Sequence, residues 1–215
     1  MSRTLILARH GRTAWNHELR LQGHADVPLD DVGRAQAEEL AAGLAPLQPV
    51  RLWSSDLRRA HQTAAAIGAA CGLPVESDPR LREYDVGDRS GMTHAEFADR
   101  FPAEYAAWRT GAAGPGEETI EEVAARTVAA LRDHLAELPA DGVGVAVRHG
   151  TCLKTALSAL LDWPAAPGNL AGLANCSVAV LAENDFGLRL VAYNVDPEAA
   201  AALIAPDFAS QVAAR

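Results

Sequence analysis

The sequence predicts an α/β fold with a mostly parallel central sheet, helices on both faces, an edge hairpin near the C-terminus and a helical lid insertion. Three observations carry that reading. Short apolar runs at Thr4–Ala8, Val50–Trp53 and Val143–Val147 have the pattern of strands buried on both faces. Stripes of helical period follow the first two, giving the order β, α, β, α. Each apolar run also ends close to a charged cluster. The chain has 215 residues, 49% of them hydrophobic, enough for one domain with a substantial core.

The elements follow in order. After Thr4–Ala8 comes a loop rich in Gly and Asp, then a helix over Gly33–Ala45, where Ala37, Leu40, Ala41 and Leu44 recur at helical spacing and Asp30 is the N-cap. Leu57, Ala60, Ala64, Ile67 and Cys71 mark a second amphipathic helix, stopped at Gly72. Residues 84–116 contain no strong strand. A Thr93/Glu96 capping box opens a helix there, Pro102 interrupts it, and Gly111–Gly116 is a loop, so this excursion reads as a lid on a single domain spanning 1–215. A second capping box, Thr119/Glu122, starts a long helix with a core-facing stripe of Ile120, Val123, Ala124, Thr127, Leu131, Leu135 and Leu138. Beyond Val143–Val147, a helix over Thr151–Leu161 precedes two strands, Cys176–Leu181 and Leu188–Tyr193, paired as a hairpin. From Pro197 the Ala-rich end is either a docking helix or a frayed tail.

Composition excludes several function classes. The net charge of −9 argues against non-specific binding to nucleic acid or anionic membrane, so positive charge for an anionic substrate must be local. Lys154 is the only lysine, and Arg supplies the remaining cations. Cys71, Cys152 and Cys176 lie in no disulfide or zinc pattern and read as reduced core thiols. No segment reads as a signal peptide or membrane span, so a soluble, cytoplasmic protein is expected. His17, His24, His61, His94 and His134 show no ligand spacing and read as surface or loop residues, His24 nearest an entrance.

Three charged clusters directly follow predicted strands: Arg9-His10-Gly11, Asp56-Leu57-Arg58-Arg59 and Arg148-His149-Gly150. Ligands of open parallel sheets bind outside the carboxyl ends of the strands, so these distant segments can share one pocket. Gathering cations is costly unless an anion occupies the space, and a phosphoryl group matches the planar fork of Arg. Neighbouring arginines also keep an imidazole neutral, and hence nucleophilic. Position favours His10 for that role, with His149 as the alternative.

The residues Arg9-His10-Gly11-Arg12-Thr13-Ala14-Trp15-Asn16 resemble the signature of the histidine phosphatase superfamily, the phosphoglycerate-mutase-like proteins. The likeness continues through Leu21-Gln22-Gly23, Pro28-Leu29, Gly33, Gln36-Ala37, the Ser55–Thr63 segment, Leu81-Arg82-Glu83, Gly87, Gly91 and His149-Gly150. It implies a phosphohistidine intermediate, with no cofactor and no metal. By the same resemblance, His10 is the nucleophile, Arg9, Arg59 and His149 form the phosphate pocket, and Glu83 donates the proton. Asn16 and Gly150 join the substrate contacts, with Gln22 and Gly23 at the entrance. Arg58, a helical neighbour of Arg59, faces another way.

Two departures from the family pattern stand out. Arg148 occupies a position where small residues are common, and either adds a cation to the pocket or turns outward into a salt bridge. The Gly87–Gly91 segment lacks the usual aromatic-acidic pair. The expected partner is a small phosphate ester, with no nucleic acid and no membrane, and a homodimer is compatible with the sequence. The leading reading is a phosphomonoesterase, the alternatives being a mutase and a silent phospho-ligand-binding module. Phe97, Phe101, Tyr105 and Trp108 in the lid are expected to face the leaving group.

Overall fold

In the computed structural model, residues 2–114, 116–163 and 170–204 are described. The chain runs β1 (Arg3–Arg9), α1 (Ala14–His17), α2 (Asp31–Leu44), β2 (Arg51–Ser54), α3 (Arg58–Cys71), β3 (Glu76–Ser77), α4 (His94–Arg100) and α5 (Pro102–Arg109). It continues with α6 (Ile120–Glu137), β4 (Val143–Arg148), α7 (Gly150–Leu160), β5 (Val178–Asn184), β6 (Gly187–Val195) and α8 (Pro197–Ile204). The six strands form one sheet in the order β3-β2-β4-β1-β5-β6. The β1/β4, β2/β4 and β2/β3 pairs are parallel, whereas β5 is antiparallel to both β1 and β6. The predicted sheet is therefore present, and its edge hairpin is β5–β6.

Side-chain alternation explains how the sheet carries helices on both faces. Ile6, Ala8, Val145 and Val147 point to one side and pack under α2, α3 and α8. Leu5, Leu7 and Ala146 point to the other and pack under α6 and α7. Leu5, Ile6 and Leu7 are fully buried. Each contributes roughly 1.5–3 kcal/mol of hydrophobic stabilisation, which is why a five-residue apolar run signals a central strand.

Local signals formed as expected. The Asp30 carboxylate accepts the Gly33 N–H at 2.7 Å, capping α2. Both capping boxes, Thr93/Glu96 and Thr119/Glu122, close reciprocally. Gly72 ends α3 in the left-handed conformation at φ 69°. Pro102 does not merely interrupt a helix. It occupies the first turn of α5, where its missing N–H costs nothing, and Phe101 makes the bend.

Several expectations need correction. Ile120 is 39% exposed because it lies at the open end of α6, before the stripe reaches the sheet. His134 is not a surface residue but 2% exposed, stacked on Trp53 with centroids 4.4 Å apart and hydrogen-bonded to Asp78 at 3.1 Å. Burial pushes its pKa down to about 4. The aromatic side chains between residues 84 and 116 turn toward one another. Phe97 meets Tyr105 edge-on at 5.5 Å, and the Arg89 guanidinium lies over Phe97 at 5.1 Å and Trp108 at 5.2 Å. Arg89 is locked in turn to Glu117, with Nη2–Oε2 at 2.8 Å. Phe97 is the buried centre of this group, with Phe101, Tyr105 and Trp108 packed around it and the paired Arg89 lying over Phe97 and Trp108.

The C-terminal alternative resolves in favour of docking as far as Ile204. Ala200 is buried in the cluster with α2, and a Cβ on Gly43 would meet Pro197 at 2.6 Å. The tail beyond residue 204 lies outside the described residues. Among those described, no helix is long and apolar enough to cross a membrane.

Candidate active site

Strand order brings the two Arg-His-Gly segments together. After β1 the chain moves toward β2, and after β4 it passes through α7 to β5 on the far side of β1, so the crevice opens between neighbouring β1 and β4. Their register pairs Arg9 with Arg148, and the His10 N–H donates to the Arg148 carbonyl at 3.0 Å. The His10 and His149 rings consequently lie 5.1 Å apart, centroid to centroid, at 59°. Both rings are buried.

The loop carrying His10 rests directly on the first turn of α2. A Cβ on Gly11 would sit 2.4 Å from the Gly33 carbonyl oxygen, and one on Gly33 would sit 1.9 Å from that of Arg12. Only a pair of glycines allows this approach. With the loop seated, His10 Nδ1 lies 2.7 Å from the Gly11 carbonyl oxygen, so the ring proton resides there and Nε2 keeps its lone pair. Burial, then Arg59 and Arg9, hold the His10 pKa well below its ordinary value of 6.5.

His149 adopts the other tautomer. Its Nδ1 accepts the Arg59 Nε–H at 3.2 Å, and its Nε2–H donates to the Ser55 hydroxyl oxygen at 2.9 Å. Burial and Arg59 push its pKa down as well. The Arg59 side chain is held by backbone carbonyls, Ala25 at 2.7 Å and Gly23 at 2.8 Å, and burial lowers its pKa to about 10. Arg9 donates to the Leu173 carbonyl, while its Nε is buried without a partner among the described residues. Gly150 adjoins that nitrogen: a Cβ there would lie 3.7 Å from Arg9 Nε. An orphaned guanidinium nitrogen beside two neutral imidazoles is suited to an anion that supplies the missing acceptor.

The Glu83 carboxylate occupies the N-terminus of α7, the helix that starts just after His149. It accepts the Cys152 N–H at 2.8 Å, the Thr151 N–H at 3.0 Å and the Tyr84 N–H at 2.9 Å. Those helical donors have no intrahelical partner, and they orient the carboxylate near Arg9 and Arg59, where its charge offsets part of the fall that burial imposes on their pKa values. His24 binds the Glu83 carbonyl at 2.8 Å and thus lies next to this group. Asn16 turns its Oδ1 inward, to the Thr13 N–H at 3.1 Å and Asn175 Nδ2 at 3.3 Å. The Gln22 side chain is committed to the Thr13 hydroxyl at 3.1 Å, and Gly23, at φ 48°, contributes the carbonyl that holds Arg59. Arg58 points away and is exposed, as its helical position requires.

Arg148 takes neither of its two expected places. Val147 faces α2 and α3, so alternation turns Arg148 to the opposite face, where it is fully buried and donates to the Cys152 carbonyl at 2.9 Å. Ser55, Thr63 and Asn175 were not singled out from sequence. The first two lie within the quoted family segments, and Asn175 follows the last of them, where no spacing marks it. Among the described residues no cluster of His, Cys, Asp and Glu has a metal-binding arrangement.

The family model of the histidine phosphatase superfamily (branch 1) matches residues 5–196. A glucosyl-3-phosphoglycerate phosphatase of Mycolicibacterium vanbaalenii is 39% identical over 193 residues, 84% of this chain and 84% of that protein. A probable phosphoglycerate mutase GpmB of Yersinia pestis is 38% identical over 182 residues, 81% of this chain and 82% of that protein. The solved mycobacterial glucosyl-3-phosphoglycerate phosphatase complexed with VO3 is similar with a TM-score of 0.81 at 37% identity, covering 90% of this chain and 100% of that one.

Proposed function

The chain belongs to the histidine phosphatase superfamily and is a phosphatase of small phosphorylated metabolites, and on that premise we propose how its residues divide the chemistry. His10 Nε2 attacks phosphorus as the bond to the leaving oxygen breaks, and Glu83, carrying a proton, delivers it to that oxygen. The Glu83 carboxylate then removes a proton from water, which attacks the phosphohistidine, breaks the N–P bond and frees inorganic phosphate. Arg9, Arg59, His149, Asn16 and Gly150 surround the phosphoryl oxygens, and Gln22 and Gly23 shape the entrance. The observation that carries this reading is the 5.1 Å pair of neutral imidazoles beside the Arg9 Nε, which has no partner among the described residues. Phosphoenzyme trapping with labelled substrate, in EDTA, tests it directly.

Arg59→Ala should lower kcat/KM by roughly 10²–10³, the cost of one group stabilising transition-state charge. Because Arg59 also anchors the Ala25 and Gly23 carbonyls, Tm must be measured alongside. A loss below about tenfold would place Arg59 outside the phosphoryl contacts.

For the substrate, we propose a phosphorylated sugar–glycerate ester, by analogy with the relatives named above. On this reading the segment 84–116 acts as a lid on one domain, and selectivity comes from it together with the entrance at His24, which binds the Glu83 carbonyl. Ranking glucosyl-3-phosphoglycerate, 3-phosphoglycerate and sugar phosphates by kcat/KM decides the matter. The similarity to a probable mutase supports a second reading, phosphoryl transfer between two positions of one substrate. Against it stand Arg89 and Arg126, already paired with Glu117 and Glu118 and so not available to a second phosphate. Phosphate release should therefore need no bisphosphate primer. Stimulation of phosphoglycerate isomerisation by bisphosphoglycerate, outpacing phosphate release, would reverse this assignment.

A further inference from the structure

Asn175 reaches the site from the connection leading into β5. Its Nδ2 lies 3.0 Å from the His10 carbonyl oxygen and 3.3 Å from Asn16 Oδ1. One amide nitrogen carries two N–H donors, and here they diverge to two acceptors on the loop that follows β1. On the other side of the same peptide, the Gly11 N–H donates to the Thr63 hydroxyl oxygen at 3.0 Å. The His10–Gly11 peptide is thus gripped at its carbonyl by Asn175 and at its N–H by Thr63. The next carbonyl along, that of Gly11, is the one that receives His10 Nδ1 at 2.7 Å. The only other donor near the His10 carbonyl is the Cys176 N–H, at 3.4 Å, so Asn175 is its principal partner among the described residues.

Resting on the roles proposed above for His10 and Asn16, we infer that Asn175 is a positioning residue for phosphoryl transfer. It fixes the tilt of the His10–Gly11 peptide, and with it the line along which His10 Nε2 meets phosphorus. It also supports Asn16 with the amide oxygen inward, which leaves the Asn16 NH2 group to face the anion. An aspartate would offer only acceptors to two acceptors, and an alanine would leave the buried His10 carbonyl with its weaker partner alone. In a site where a misplacement of about 1 Å costs on the order of 10²-fold, the tilt of this peptide matters to rate more than to binding.

The experiment compares Asn175→Ala and the isosteric Asn175→Asp with wild type, using an aryl phosphate in single-turnover quench-flow and steady-state assays, with Tm and circular dichroism on each. The rate of phosphoenzyme formation and kcat should fall roughly 10- to 100-fold while KM stays within about threefold, Asp falling at least as far as Ala. A phosphorylation rate within about threefold of wild type in both variants overturns the inference, as does a loss confined to KM. If both variants lose the cooperative fold, the residue is structural and the positioning role is equally overturned. His10→Ala in the same assay keeps the two levels apart. Turnover surviving in that variant refutes the nucleophile assignment itself, whereas an inactive His10→Ala beside fully active Asn175 variants refutes only the role of Asn175.

Discussion

Replacing His10 with alanine is expected to abolish turnover and phosphoenzyme together, a loss of roughly 10⁴-fold or more in kcat/KM, because a covalent route without its nucleophile leaves only the residual effect of binding. The neighbouring His149 cannot take over. Its Nδ1 lone pair is committed to Arg59 and its Nε2 proton to Ser55, so neither ring nitrogen offers an electron pair to phosphorus. A pH signature accompanies the loss. Burial and the two arginines depress the folded-state pKa of His10, so the neutral, nucleophilic form persists as pH falls through its ordinary value of 6.5. In the wild-type protein the single-turnover phosphorylation rate should therefore show no His10 titration between about pH 8 and about pH 6, and any such limb should lie on the acid side. Phosphohistidine recovered from the His10→Ala protein would transfer the role to His149.

Glu83→Gln is expected to divide substrates by their leaving groups. With an alkyl phosphate, whose departing oxygen must be protonated, the phosphorylation step should slow by roughly 10²–10⁴, whereas an aryl phosphate should lose far less in that step. Hydrolysis of the phosphoenzyme should slow with both, so with the aryl ester the variant should give a burst of phenol matched by an equal amount of phosphoprotein. Geometry adds a control. The wild-type carboxylate accepts N–H groups from Tyr84, Thr151 and Cys152, and a glutamine must turn one donor toward this set. Some disturbance of the α7 N-terminus will therefore affect both substrates equally. Equal losses on the two esters, with no burst, would mean that Glu83 serves the helix and not the proton.

Much of this was legible wherever the deciding interaction is local. The caps at Asp30, Thr93 and Thr119 each bond a backbone N–H three residues away, so residue type and spacing suffice. The buried strands announced themselves as apolar runs, and Gly72 marked the end of α3 because its backbone needs positive φ. The family resemblance pointed to His10, Arg59, Glu83 and His149, which the fold brings to one crevice, since the order of such segments is a property of the chain.

The rest depended on partners that no spacing reveals. His134 lies on the buried stripe of α6, three residues after Leu131, but as a polar residue type it reads as exposed; its partners, Trp53 of β2 and Asp78 just after β3, come from far along the chain. Arg148 sits in the fully buried layer because alternation along β4 sends it under α7, and the cluster it belongs to in sequence says nothing of that. The aromatic groups at 97–108 were expected to face a leaving group; in the structure Arg89, paired with Glu117, lies over two of them, Phe97 and Trp108. By itself the sequence determined five of the six strands, the longer helices with their caps, and which residue types could hold a phosphate, while the two-residue β3 and the short α1 carried no period to read. Only the tertiary structure decided how deeply His10 and His149 are buried together, where Arg148 points and which distant amide grips the His10–Gly11 peptide. The physical reason is that burial and long-range hydrogen-bond partners are set by groups brought in from distant segments, whose separation along the chain carries no information about their separation in space.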